Sequence, residues 1–132
     1  MSVERIFVYG TLRKNREGEF HHLLDGAVKY VGEAFFKGKL YLVKDYPGVI
    51  HSDGSRDWVR GEVYEITTPD NVIPKLDLHE EYYPNSLNES EYIRSKEIVF
   101  SADGNKENAW MYIYNRDVSA LKPITSGDFM CF

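Results

Sequence analysis

The sequence predicts an α+β fold: a mixed, mainly antiparallel, barrel-like β-sheet with a few flanking helices. Three observations predict it. Short runs of β-branched and aromatic residues recur between turn residues, and only one long segment has a convincing helical pattern. Aromatic residues make up 14% of the chain, and its ten tyrosines suit a half-buried pleated surface. A length of 132 residues further predicts a single domain, residues 1–132.

The strand candidates begin close to the N-terminus. Ile6 and Val8 alternate with Phe7 and Tyr9, which predicts a first strand that is buried on both faces. The later candidates are two extended runs within residues 27–43, with bulges or bends at Gly32 and Gly38, and strands over 58–66, 92–100 and 108–114. Many strands with few helices favour a sheet that curls into a barrel.

Turn residues fall between these runs. Pro47 and Gly48 predict a turn over residues 45–49, and the Asp103-Gly104 pair predicts a hairpin between the last two strands. The last strand carries aromatic residues at positions 110, 112 and 114 and apolar residues between them. This alternation predicts packing on both faces, with a pocket wall as the alternative. The final residues, 123–132, are expected to form a closing loop.

The best helix candidate spans residues 67–83. Thr68 is available as the N-cap and Pro69 stands at the first helical position. Pro74 leaves a second start open, because a proline deep in a helix clashes with the preceding turn. A shorter helical piece is predicted over residues 20–24.

Charge and composition exclude several classes of function. The net charge is −5 and no run of Lys or Arg stands out, so nucleic acid is not an expected partner. The sequence contains no apolar stretch of ~20 residues, so no membrane span is predicted. The N-terminus lacks the succession of basic, apolar and small residues that is typical of a signal peptide. The lone Cys131 excludes an internal disulfide. We therefore expect a cytoplasmic protein.

The first motif that could carry chemistry is VYGTLR, residues 8–13. A glycine directly after a strand lets the backbone turn sharply and approach a ligand closely. Successive N–H groups in such a turn can hold a carboxylate or a developing oxyanion. The alternative is an ordinary turn that ends the strand and binds no ligand, and these six residues alone favour that alternative.

The second motif is LDLHEEYYP, residues 76–84. Helical spacing would place Leu76, Glu80 and Tyr83 on one face, with Asp77 and Glu81 on a neighbouring, wetter side. A carboxylate turned toward an apolar pocket has a raised pKa, which makes it a useful base near neutral pH. The alternative is a charged helix end with both Glu80 and Glu81 in solvent.

Other reactive residues give weak signals. His21 and His22 lie within helical reach of Asp25, but this set lacks the spacing of a typical metal site, so no metal is predicted. Cys131 is a weak candidate nucleophile, because no His is near it in sequence.

The order of the motifs is more specific than any one of them. YGTLR is followed by YPG, VRGEVYEI, LDLHE, YIR, AWMYIY and ITSGDF. This series resembles the gamma-glutamylcyclotransferase-like family, in particular its small members related to gamma-glutamylamine cyclotransferase. The resemblance extends from Phe7 to Phe129, and its specific part is YGTL with a downstream LDxxE.

The resemblance implies a compact β-barrel with flanking helices and a cavity between the substrate loop and a catalytic glutamate. The loop falls on Tyr9, Gly10, Thr11 and Leu12, and the acid/base glutamate falls on Glu80. The family works without metal or cofactor. It releases 5-oxoproline and a free amine from a small γ-glutamyl compound by intramolecular attack of the α-amino group.

Alternatives remain open after the resemblance. A non-catalytic module could use the same cavity to bind a small ligand, because a fold does not fix a function. The segment Asn85–Glu91 is longer than expected for the smallest relatives and leaves the amine leaving group undefined. Oligomeric state cannot be read from the sequence.

Overall fold

The computed structural model describes residues 4–10 and 28–129. Its strands are β1 Glu4–Val8, β2 Val28–Leu42, β3 Pro47–His51, β4 Trp58–Ile66, β5 Tyr92–Ser101, β6 Lys106–Tyr114 and β7 Lys122–Pro123. Within the same residues there is one α-helix, α1 Pro69–His79, and one short 3₁₀ helix, Leu87–Glu89. The predicted helical piece at 20–24 lies outside the described residues.

Five of the strands close into a barrel. β2 pairs with β4, β4 with β1, β1 with β6 and β6 with β5, and β5 returns to β2. Of these pairings only that of β1 with β6 is parallel. The predicted α+β class with a mixed, mainly antiparallel barrel is therefore confirmed.

The second strand differs from its prediction. β2 is a single strand of 15 residues and not two separate runs. Its register against β4 shifts between Tyr30 and Gly32, so the irregularity lies at Val31, directly before the predicted Gly32. At Gly38 the strand changes partner from β4 to β3, and a Cβ there would lie 2.4 Å from the Ile50 carbonyl oxygen. A glycine therefore lets one continuous strand bend from the barrel into the β3 pairing.

The turn expected over residues 45–49 is shorter than predicted. The chain bends only over residues 44–46, and β3 begins at Pro47. Pro47 can open a strand because its missing N–H falls at the strand end. The bounds predicted for β4 are confirmed, and so is the hairpin between β5 and β6, where Gly104 has a φ of 90°.

Both faces of the barrel sheet are packed. The interior cluster contains Phe7, Tyr9, Ala34, Phe36, Leu40, Val49, Val59, Val63, Val99, Ala109, Met111, Ile124 and Phe129. The outer cluster, on the side of α1, contains Ile6, Val8, Tyr64, Ile66, Val72, Leu76, Tyr92 and Tyr112. β1 and β6 contribute to both clusters, which confirms the predicted burial of both their faces.

The closing segment seals the interior cluster. β7 pairs with the end of β2, and the Ile124 N–H donates to the Leu40 carbonyl at 2.8 Å. Ile124 and Phe129 then enter the barrel interior. The predicted closing loop thus contains a short strand, and residues 130–132 lie outside the described part.

The helix α1 starts where the first prediction placed it. Pro69 is its first residue and Thr68 its N-cap, whose carbonyl accepts the N–H groups of Asn71 and Val72. The alternative start near Pro74 is wrong, because Pro74 lies inside the helix on its exposed side. Burial of Val72 and Leu76 against the barrel keeps the helix in place despite the backbone bond that Pro74 removes.

We expect Leu76→Ala to lower the free energy of unfolding by about 2–5 kcal/mol, because Leu76 is fully buried between α1 and the barrel. Leu78→Ala is the matched control, since Leu78 is 70% exposed in the same helix and should change stability by less than about 0.5 kcal/mol. Urea unfolding measures both. Equal losses would mean that α1 is not anchored through Leu76.

Candidate active site

The site is organised by the way α1 ends. The Glu81 N–H donates to the Leu78 carbonyl at 3.2 Å, and the Tyr82 N–H donates to the Asp77 carbonyl at 2.9 Å. These two bonds form a Schellman motif, and Glu81 occupies its left-handed position with a φ of 53°. The helix therefore ends at His79, four residues before the predicted end, and Glu80 is its C-cap.

This ending separates residues that the sequence placed on one face. Glu80 stays one turn beyond the buried Leu76, whose carbonyl accepts the Glu80 N–H at 2.9 Å. Tyr83 lies beyond the helix and is exposed, so its predicted place beside Glu80 is wrong. Helical spacing predicts which residues share a face only as far as His79, where the helix ends.

The neighbouring pair was also predicted incorrectly. The Asp77 carboxylate accepts hydrogen bonds from Arg94 Nε at 2.8 Å and from the Tyr112 hydroxyl at 2.7 Å, so it is not on a wet side. Glu81 is exposed, as expected. Asp77 thereby joins α1 to strands β5 and β6.

The predicted substrate loop begins directly after β1. Tyr9 and Gly10 follow the strand and are buried, whereas Thr11 and Leu12 lie outside the described residues. A Cβ on Gly10 would lie 2.8 Å from Pro47 Cγ, so the backbone here passes too close to the start of β3 for a larger residue.

The Tyr9 side chain spans the barrel end. Its hydroxyl donates to the Tyr112 carbonyl at 2.6 Å. Burial and the nearby negative charge of Glu80 raise the pKa of Tyr9. The hydroxyl proton of Tyr9 is therefore already used within the protein.

Three further tyrosines donate in the same way to protein acceptors. The Tyr92 hydroxyl donates to the Pro47 carbonyl at 2.6 Å, that of Tyr112 donates to Asp77, and that of Tyr46 donates to the Glu91 carboxylate at 2.5 Å. The rings of Tyr46 and Tyr92 lie 6.5 Å apart. These hydroxyl protons therefore point away from any additional acceptor in the site.

The Glu80 carboxyl lies close to three of these tyrosines. Burial is the largest cause that raises the pKa of Tyr9, Tyr92 and Tyr112, and the negative charge of Glu80 contributes to each. In residues 4–10 and 28–129 no side chain or backbone group donates a hydrogen bond to the Glu80 carboxylate. Burial, and then the charge of Glu91, raise the pKa of Glu80 to about 8.

Such a carboxyl can take and return a proton near neutral pH. The raised pKa of Glu80 lies closer to that of an ammonium group than the pKa of an ordinary carboxyl does, so proton transfer from an ammonium group to Glu80 costs less free energy. General acid–base catalysis is most effective when the pKa lies near the working pH. The arrangement is therefore suited to proton transfer in both directions.

Sequence reasoning missed Tyr46, Tyr92 and Glu91 as members of this cluster. Their contribution depends on β3, β5 and the segment before β5 meeting at one end of the barrel, which no local spacing reveals. The only available signal was the unusual length of Asn85–Glu91.

In the part of the chain that the structure describes, no group of three or more His, Cys, Asp or Glu side chains could hold a metal ion. His21, His22, Asp25 and Cys131 lie outside the described residues. The expectation that no metal or cofactor is required stays a prediction.

The fold places the protein in the class of gamma-glutamylcyclotransferase-like barrels. An AIG2-like protein from Mus musculus has this fold, with a TM-score of 0.72 and 22% identity over 95% of this chain and 88% of that one. The chain belongs to the gamma-glutamyl cyclotransferase, AIG2-like family, which matches residues 6–131. The family predicted from the sequence is thus confirmed.

Bacterial relatives are more similar in sequence. The gamma-glutamylcyclotransferase family protein YtfP of Escherichia coli K12 is 34% identical over 128 residues, 96% of each chain. The solution structure of ytfP from Escherichia coli has a TM-score of 0.63. YkqA from Bacillus subtilis matches with a TM-score of 0.71 and 29% identity, and this chain spans 40% of its length.

Within the described residues, no helix is both long and apolar enough to cross a membrane. The cytoplasmic location and the single domain over residues 1–132 stay predictions.

The raised pKa of Glu80 predicts how stability changes with pH. Between its ordinary value of 4.5 and the folded value of about 8, the folded state keeps a proton that the unfolded state releases, so stability falls as the pH rises. Glu80→Gln removes this loss. From about pH 5 to about pH 8 the variant should therefore gain about 1 kcal/mol or more relative to wild type, by urea unfolding.

Glu81→Gln is the matched control, because it removes one exposed carboxylate from the adjacent position. Its stability should follow the wild-type pH dependence. If Glu80→Gln declined with pH as steeply as wild type, the Glu80 carboxyl would be ionised like an ordinary surface glutamate.

Proposed function

We propose that the protein is a cyclotransferase that converts a small γ-glutamyl compound into 5-oxoproline and a free amine, with Glu80 as general acid and base. The observation that carries the proposal is the Glu80 carboxyl, which lies partly buried beside the end of β1 with a pKa of about 8. Membership of the gamma-glutamyl cyclotransferase, AIG2-like family supports the reaction class.

In the first step Glu80 acts as a base. The α-ammonium group of a γ-glutamyl compound cannot attack while it is protonated, and at neutral pH most of it is. The ionised form of Glu80 accepts one proton from this nitrogen. Because no described hydrogen bond stabilises the carboxylate, its basicity is retained in the site.

In the second step the freed nitrogen attacks the γ-carbonyl carbon and closes a five-membered ring. The new carbon–nitrogen bond forms as the carbonyl becomes an oxyanion, and collapse of this intermediate breaks the bond to the leaving amine. Glu80 returns this proton to the departing nitrogen, takes the second proton that the ring nitrogen must lose to become the lactam N–H, and passes it to the released amine, which leaves as an ammonium ion. The substrate is thus divided into 5-oxoproline and an amine without water or another reactant.

The segment after β1 is proposed to hold the substrate. We assign this role to the backbone of Tyr9, Gly10, Thr11 and Leu12, whose N–H groups would bind the substrate carboxylate or the developing oxyanion. The close passage of Gly10 along Pro47 and the occupied hydroxyl of Tyr9 support a backbone role. Holding the flexible chain in its cyclising conformation adds an orientation effect to the proton transfer.

We expect Glu80→Gln to reduce 5-oxoproline release by about 10²- to 10⁴-fold, because the amide can neither accept nor return a proton. The measurement is 5-oxoproline formation from a panel of γ-glutamyl amines and γ-glutamyl dipeptides. Circular dichroism and urea unfolding show that the variant is folded. Glu81→Gln is the control, since Glu81 is exposed, and it should retain wild-type rates.

Two results would contradict this proposal. Turnover that survives in Glu80→Gln would mean that another group is the base. If wild type released no 5-oxoproline from any member of the panel but bound γ-glutamyl compounds, a non-catalytic binding module would be the better account of the same site.

A further inference from the structure

The segment Asn85–Glu91 is fixed to the end of α1 by a buried serine. Ser90 is fully buried, and its hydroxyl oxygen accepts the Tyr83 N–H at 2.8 Å. The same oxygen lies 3.2 Å from the carbonyl oxygens of Tyr83 and Ser86. The 3₁₀ helix Leu87–Glu89 is thereby folded back, so the chain re-enters the barrel end at a defined place.

The backbone of Glu91 joins the helix end to the barrel. Its N–H donates to the Glu81 carbonyl at 3.1 Å, and its carbonyl accepts the Asn115 N–H at 2.8 Å. Glu91 therefore lies beside Glu81, one residue from Glu80, at the point where β6 ends and β5 begins.

The Glu91 side chain is held as firmly as its backbone. It accepts the Tyr46 hydroxyl at 2.5 Å, and the Tyr46 ring packs near Tyr92, whose ring lies 5.4 Å from that of Tyr114. The charges of Glu80 and Glu91 both raise the pKa of Tyr92, so the two carboxylates have this tyrosine as a common neighbour. A charge in such a position is less screened than one on an open surface.

We propose that Glu91 is a positioning residue of the site, which acts through Glu80 by holding a second negative charge beside its carboxyl group. The effect of Glu91 on the protonation of Glu80 does not depend on whether the protein turns over a substrate. Its consequence for catalysis rests on the proposed function.

The chemical consequence follows from the repulsion of two like charges. With Glu91 ionised, Glu80 keeps its proton to a higher pH than burial alone would cause. The binding of an ammonium group next to this pair would relieve the repulsion between the two carboxylates. Glu80 would then ionise at the moment when the ammonium group needs a proton acceptor. Glu91 thus couples the basicity of Glu80 to the arrival of a cationic group.

Other titratable and charged side chains lie around Glu80 and Glu91, and the two arginines among them have other partners. Among the described residues, the titratable and charged side chains around the pair include Tyr9 after β1, Tyr46 before β3, Asp77 on α1, Glu81 after α1, Tyr92 and Arg94 on β5, Tyr112 and Tyr114 on β6 and Arg116 after β6. Arg94 is paired with Asp77, and the Arg116 guanidinium donates to the Ser90 carbonyl at 2.6 Å. Neither arginine forms an ion pair with Glu80 or Glu91.

The test compares Glu91→Gln with Glu89→Gln. Both variants remove one carboxylate from the same segment, but Glu89 is exposed in the 3₁₀ helix. The Glu80 carboxyl is titrated by ¹³C NMR of glutamate-labelled protein, with its signal assigned by its loss in Glu80→Gln. The Glu80 midpoint should move to lower pH in Glu91→Gln and stay at the wild-type value in Glu89→Gln.

Activity gives a second readout. With a substrate from the panel, the rising limb of kcat/KM against pH should move to lower pH in Glu91→Gln, so the ratio of activity near pH 6 to that near pH 8 increases several-fold. A mere loss of folding would lower all rates without moving the limb.

The two proposals fail differently. An unchanged Glu80 midpoint in Glu91→Gln, or an equal shift in Glu89→Gln, would overturn the role of Glu91. A lowered midpoint in a protein that releases no 5-oxoproline would support the role of Glu91 and contradict the proposed function.

Discussion

The arrangement of one end of the barrel depends on the hydrogen bonds that four tyrosine hydroxyls donate there. Tyr9, Tyr46, Tyr92 and Tyr112 each donate to a carbonyl or carboxylate oxygen of the protein. These bonds join β1, β3, β5, β6 and α1 around a single point, so buried phenols stabilise the barrel end. They also surround Glu80 with groups whose protons are already committed. Burial in this cluster, and then the charge of Glu91, raise the pKa of the Glu80 carboxyl.

Close packing at this end of the barrel restricts the position of the Glu80 carboxyl. β1 and β3 meet where Gly10 passes Pro47, and a Cβ on Gly48 would lie 2.8 Å from the Tyr114 ring. On the opposite side, the Schellman ending of α1 turns the chain immediately after Glu80. The non-glycine residue Glu81 accepts a left-handed φ at that turn, which the buried Leu76 and the Ser90 contacts hold in place. The position of the carboxyl is thus set by packing on both sides.

Local pattern was sufficient for much of the fold and for part of the site. Period-2 runs predicted β1, β4 and the hairpin of β5 and β6, because each is a continuous strand with clear turn residues beside it. Thr68 and Pro69 gave the start of α1, but helical spacing could not reveal that the helix stops before Tyr83, since no glycine marks the end. The continuity of β2 and the contact of Glu91 with Glu81 at the end of α1 depend on interactions between residues that are distant in the sequence. Such contacts have no signature in a single sequence.

The protonation of Glu80 is the centre of this account, and infrared spectroscopy measures it directly. The difference spectrum between wild type and Glu80→Gln at about pH 6.5 should contain the carbonyl band of a protonated carboxylic acid, which disappears when the pH is raised to about 10. A difference spectrum that contains only carboxylate bands at about pH 6.5 would contradict the account, because Glu80 would then be an ordinary ionised glutamate.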